Sequence, residues 1–157
     1  MPDMLVKLYE LPEASALLAE LREAGVIIRP ALAAEKHIVV DWVRRTFSPD
    51  WVSECEVAIG NQPVSCFVAI KEGQVIGFSC YDATYRGFLG PIGVSETQRE
   101  RGVGKGLLLA CLHAMAALGY GYAIIGGAGP TEFYRKTVGA VEIEGSSPGI
   151  YRGMLQK

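Results

Sequence analysis

Two glycines set two residues apart, Gly102 and Gly104, open an apolar helix among Arg99, Arg101 and Lys105. That combination suits an anion. Glycines let the backbone come close to a phosphate, and the first N–H groups of a helix have no intrahelical partner. The partial positive charge of the helix N-terminus and the basic side chains add to the attraction. Upstream lies the apolar stretch Pro91-Ile92-Gly93-Val94, so the full pattern is strand, polar turn, helix. Two common phosphate loops do not match it. A Walker A loop needs a glycine where Arg99 stands and a hydroxyl residue where Gly106 stands. A Rossmann fingerprint needs a third glycine where Leu107 stands, and it should open the first strand–helix unit of a parallel sheet. The plainer competing reading is a glycine-rich turn that only caps a helix.

The elements that must position this run follow from residue patterns. Partial alternation over 5–9 predicts a first strand. Pro12-Glu13 then opens a helix with Leu17, Leu18 and Leu21 at helical spacing up to Gly25. Residues 26–30 are ambiguous, extended by Val26, Ile27 and Ile28 but closed by Pro30. Helices are expected over about 33–46, with Ile38, Trp42 and Val43 on one face, and from Ser48-Pro49-Asp50 through Ile59. The period then changes. Segments 65–71 and 75–81 flank the turn Glu72-Gly73-Gln74 as a hairpin, and 88–94 is the next strand. A long helix from about Gly102, a strand over 122–125, a helix over 131–138 and terminal strands at 141–144 and 150–155 complete the chain. No repeat, low-complexity run or linker interrupts it, so one mixed α/β domain spanning 1–157 is expected.

The run Arg99-x-x-Gly102-x-Gly104 resembles the acetyl-CoA signature, Q/R-x-x-G-x-G/A, of the GNAT (Gcn5-related N-acetyltransferase) superfamily. Its context strengthens the resemblance: an apolar strand ending at Val94, a long apolar helix, then a strand and a second helix bearing Phe133-Tyr134-Arg135-Lys136. Thr137-Val138-Gly139-Ala140 resembles the family's Tyr-x-x-x-Gly-Phe end, with one extra residue and Ala for Phe. The resemblance covers about 67–155 and implies a central mixed, mostly antiparallel sheet of six to seven strands flanked by helices. It implies that Ile92, Gly93 and Val94 pair with the pantetheine arm of acetyl-CoA, much like an added strand. Glu100, Arg101, Gly102, Val103, Gly104 and Lys105 match the loop whose backbone amides hold the pyrophosphate, behind the signature residue Arg99.

Tyr134 matches the tyrosine that protonates the departing thiolate; a phenol of pKa near ~10 can serve a thiolate whose acid is near ~8.5. Two departures stand out: Gly127 replaces a cofactor-contacting asparagine, and Glu96 replaces a common proline. The function implied is transfer of an acetyl group from acetyl-CoA to a primary amine by direct attack, with the oxyanion near the Val94 N–H. The alternative is a non-catalytic acetyl-CoA-binding regulatory or interaction domain. Acceptors in the family are small-molecule or peptide amines, and a homodimer stays open. Asp82, Glu132 and His113 are the side chains noted as available to take the amine's proton, none of them singled out by the sequence.

Composition excludes several classes. The chain has 157 residues, 50% hydrophobic and 20% charged, with a formal net charge of −2 and a pI near 5.7. A nucleic-acid or anionic-membrane partner would ask for a basic stripe, which this balance does not supply. Residues 106–131 carry no formal charge, but Gly119-Tyr120-Gly121 and the run 126–130 break them into a core-length helix and a strand, so no membrane span is expected. Cys55, Cys66, Cys80 and Cys111 lie far apart without a C-x-x-C pair and are expected as separate buried thiols. His37 and His113 are too isolated to build a metal site with them, so no metal is expected. With no basic, apolar leader in the first ten residues, a reducing cytoplasm is the expected compartment.

Overall fold

The computed structural model describes residues 1–157, apart from the side chains of Glu100 and Arg101. Seven strands form one sheet: β1 (Met4–Lys7), β2 (Val26–Pro30), β3 (Cys66–Lys71), β4 (Gln74–Tyr81), β5 (Phe88–Val94), β6 (Tyr122–Ile125) and β7 (Val141–Glu142). Their order is β2-β3-β4-β5-β6-β1-β7, and every neighbouring pair is antiparallel except β5–β6. Five helices flank it: α1 (Ser15–Glu23), α2 (Lys36–Thr46), α3 (Pro49–Gly60), α4 (Val103–Ala117) and α5 (Thr131–Val138).

The central strands are covered on both faces, which is why they read as apolar runs rather than as alternations. Along β4, Phe78 and Cys80 join the core under α2 and α3, while the intervening Ser79 hydroxyl donates to the Leu107 carbonyl of α4. α4 presents buried leucines on nearly every side, Leu107, Leu108, Leu109 and Leu112 among them, because strands, α1 and α5 surround it. Its 15 residues end at Ala117, and no helix among the described residues is long and apolar enough to cross a membrane.

Arg29 on β2 makes two hydrogen bonds to the Glu35 carboxylate, at 2.8 and 2.7 Å, tying the sheet edge to the entry of α2 and holding that carboxyl down at about 2. The Ser48 Oγ then accepts the Trp51 N–H at 3.4 Å and caps α3, with Pro49 in its first turn, as the Ser-Pro-Asp sequence leads one to expect.

Three expectations need correction. Residues 150–155 form no strand: a 3-10 turn, Gly149–Tyr151, follows Pro148, and Gly153 turns the chain again at a φ of +72° that only glycine adopts easily. Beside β6 lies β1, which pairs with β6 through Val6↔Ala123 and with β7 through Met4↔Glu142. On α2 the buried stripe is Val39, Val40, Trp42 and Val43, whereas Ile38 is 53% exposed. The first and seventh strands are also shorter than expected, β1 passing at Leu8–Glu10 into a 3-10 turn.

Candidate active site

The site is built where β5 and β6 part. They pair in parallel only through Phe88↔Ile124 and Leu89↔Ile125, and β6 then ends while β5 runs on to Val94. A register shift opposite Ser79–Tyr81 bends β5 at the same place. One edge of β5 therefore faces a cleft of about 590 Å³. The Ser95 N–H donates to the Ile76 carbonyl, so by strand alternation the amides of Ile92 and Val94 point to the cleft rather than to β4.

At the far end of β5 the chain passes through a 3-10 turn, Glu96–Arg101, and enters α4. Gly102, at φ +77°, is the N-cap that makes this reversal. The first helical bond runs from the Gly106 N–H to the Gly102 carbonyl, which leaves Val103, Gly104 and Lys105 without an intrahelical acceptor. Gly102, Gly104, Lys105 and Arg99 all line the cleft, and the Arg99 Nε donates to the Val94 carbonyl at 3.4 Å. Val103 is not among the residues that line it, and its side chain is buried in the core beside Leu107. The side chains of Glu100 and Arg101 lie outside the described residues. Ile92, Gly93 and Val94 line the same cleft.

Tyr134 on α5 completes one wall. It is 9% exposed, its ring packs edge-on to Phe133, and burial raises its phenol above the ordinary tyrosine value. Gly127, in the asparagine position, also lines the cleft. Its N–H is already donated to the Asp3 Oδ1 at 2.8 Å, so it is not free for a ligand.

None of the three acid–base candidates reaches the cleft. Asp82 accepts the Gly87 N–H and the Tyr120 hydroxyl, Glu132 pairs with Arg135, and the His113 Nε2 lies 2.8 Å from the Pro12 carbonyl. The acidic residue that does line it among the described residues is Glu54, which the sequence did not distinguish from its neighbour Glu56. It follows Trp51 by one helical turn on α3. Thr84 donates a hydrogen bond to it, yet desolvation raises its carboxyl above the usual range, with help from Asp50.

The cysteines were expected to stay apart, and three do not. Cys66 and Cys80 are direct partners across β3 and β4, and Cys55 from α3 brings its sulfur within 4.8 Å of both. All three belong to the apolar core around Val68 and Phe78.

The sheet that parts at β5, the helix that starts on a glycine cradle and the motif between them define a class. Residues 36–140 match the Acetyltransferase (GNAT) family, and the chain belongs to it. Among solved structures it is similar to the GCN5-related glucosamine N-acetyltransferase region of a fungal multi-domain GH3 β-N-acetylglucosaminidase. The TM-score there is 0.75 at 14% identity, over 90% of this chain and 19% of that one. It is also similar to a GCN5-related N-acetyltransferase from Sphaerobacter thermophilus, with a TM-score of 0.68 at 17% identity, over 90% of this chain and 48% of that one. At these identities the likeness is one of fold, and this chain spans less than half the length of either protein. No curated protein matches the sequence.

Proposed function

We propose that this domain is an acyl-CoA-dependent N-acetyltransferase that moves the acetyl group of acetyl-CoA to a primary amine by direct attack. The observation that carries the reading is continuity: the free edge of β5 leads straight into the unpaired amides of the first turn of α4, within one cleft that also holds Tyr134. The residues fit the ligand. Amides of Ile92 and Val94 suit the pantetheine arm, and the amides of Val103–Lys105 with Arg99 and Lys105 suit the pyrophosphate.

The thioester brings an activated acyl carbon with a thiol as leaving group. Val94 packs against the first turn of α4, where a Cβ at Gly104 would lie 3.7 Å from its side chain, so its amide belongs to the phosphate end. The Ile92 amide, about 7 Å further back along the strand, is the better donor to the developing oxyanion than the Val94 amide that sequence reasoning had chosen. Burial keeps the Tyr134 phenol protonated at neutral pH, and the same dry surroundings make a departing thiolate more basic, which favours the transfer between them. Four buried free cysteines suit a reducing compartment such as the cytoplasm.

A panel of primary amines incubated with acetyl-CoA tests the reading, with free thiol and N-acetylated product measured together. The expected result is thiol release that depends on the amine and matches the product formed. CoA binding without thiol release from any amine would instead indicate a binding domain without turnover.

A further inference from the structure

The cleft is polarised along β5. Its cationic side chains among the described residues, Arg99 and Lys105, sit at the Val94 end. Its one acidic side chain among them, Glu54, sits toward the other end, where Thr84 of the β4–β5 loop donates to it. Val94 and the β4–β5 loop lie at opposite ends of the seven-residue β5, so the two charges serve separate parts of the cleft. The wall that runs from Gly93 toward Glu54 is aromatic. Phe47 and Trp51 stack with centroids 4.8 Å apart, and Tyr151 from the C-terminal turn closes over the glycines after β6. Phe47 is seated by a glycine: a Cβ on Gly93 would lie 2.4 Å from its ring.

We propose that this end binds the acceptor as a primary ammonium on an apolar or aromatic body, with Glu54 pairing with the ammonium and accepting its proton. The inference rests on the transferase reading above and gives that site its acceptor class. A desolvated carboxylate pairs strongly with a cation, and aromatic faces add cation–π attraction without competing for its protons. An acceptor bearing its own carboxylate beside the amine faces Glu54 at this end, where no Lys or Arg side chain lines the cleft among the described residues.

The protons balance. Glu54 takes one from the ammonium and passes it to solvent, and the neutral amine forms the C–N bond as the C–S bond breaks. The thiolate receives the Tyr134 proton, and the second proton of the nitrogen returns to the phenolate. Net, one amide, one thiol and one proton leave. The groups facing Glu54 are Asp50 on its own helix, Thr84, and the Tyr151 phenol, itself raised by burial and by Glu54 and Asp3. Burial and Asp50 oppose a charged Glu54 and outweigh the Thr84 hydrogen bond that favours it, so its titration lies above that of an ordinary carboxylate.

The test compares phenethylamine with phenylalanine as acceptors, in wild type and in Glu54→Gln and Glu54→Asp. CoA binding is measured by calorimetry in each. The wild type should prefer phenethylamine by at least ~10-fold in kcat/KM and show an acid limb from a single group. Glu54→Gln should lose ~10²-fold for phenethylamine, lose that limb and bind CoA normally, while Glu54→Asp recovers part of the rate. Equal use of the two amines, refusal of phenethylamine, or full activity with an unchanged pH profile in Glu54→Gln would overturn the proposal. Any of these with CoA bound and another amine acetylated leaves the transferase reading intact. Failure of the wild type to bind CoA would remove both.

Discussion

Tyr134 holds its ring in the core with Leu108 and Val138 while its edge lines the cleft, so packing and chemistry can be separated there. Tyr134→Phe keeps the ring and removes one proton. The chemical step should slow by ~10²–10⁴-fold in single-turnover measurements, with CoA affinity and Tm unchanged. A wild-type rate when chemistry is limiting would show that the proton comes from elsewhere. Tyr134 was legible in the sequence because it falls on a family motif. Glu54 was not, because Glu54 and Glu56 differ only in their angle around α3, and a polar residue gives no sign of which face is the inner one. The meeting of Cys55, Cys66 and Cys80 was hidden for a similar reason: it joins a helix to two strands through sheet register.

The element proposed to hold the phosphates is the N-terminus of α4. Gly102 and Gly104 are not equivalent test positions there. An aspartate at Gly102 would be strained at φ +77° before any ligand bound, whereas Gly104 is helical and its Cβ would make only an ordinary contact. Gly104→Asp should therefore fold normally by far-UV circular dichroism while CoA affinity falls by more than ~10-fold, through lost approach and like-charge repulsion. Normal affinity in a folded Gly104→Asp would mean that the phosphates bind elsewhere. Elements bounded by glycine or proline were readable to the residue, as over 88–94, 122–125 and 131–138. The last segment misled because Ile150, Tyr151, Met154 and Leu155 resemble a strand, yet the glycines between them turn the chain and Tyr151 goes to the cleft.

At the scale of the molecule, the site depends on pieces far apart in the chain. Asp3 alone joins three of them: its carboxylate accepts the Gly127 N–H, its N–H donates to the Ser146 Oγ, and its carbonyl accepts the Ile143 N–H. β1 beside β6 thus braces the glycine-rich floor of the cleft. The five helices and the strands between 65 and 125 could be inferred from residue patterns, but the order that inserts β1 between β6 and β7 could not. Short strands of similar composition carry no label for their partners. The parting of β5 from β6 comes from the short β6 and the register shift in β5, and the account of function rests on it. Amide hydrogen exchange with and without CoA tests it most directly, because the amides assigned to the ligand lie on a free strand edge and in the first turn of a helix, without an acceptor among the described residues. CoA should slow exchange at Ile92 and Val94 and at Val103–Lys105, with little change at the Cys55 cluster or along α1. CoA binding that leaves those five amides exchanging freely, or protects a different surface, would contradict the account.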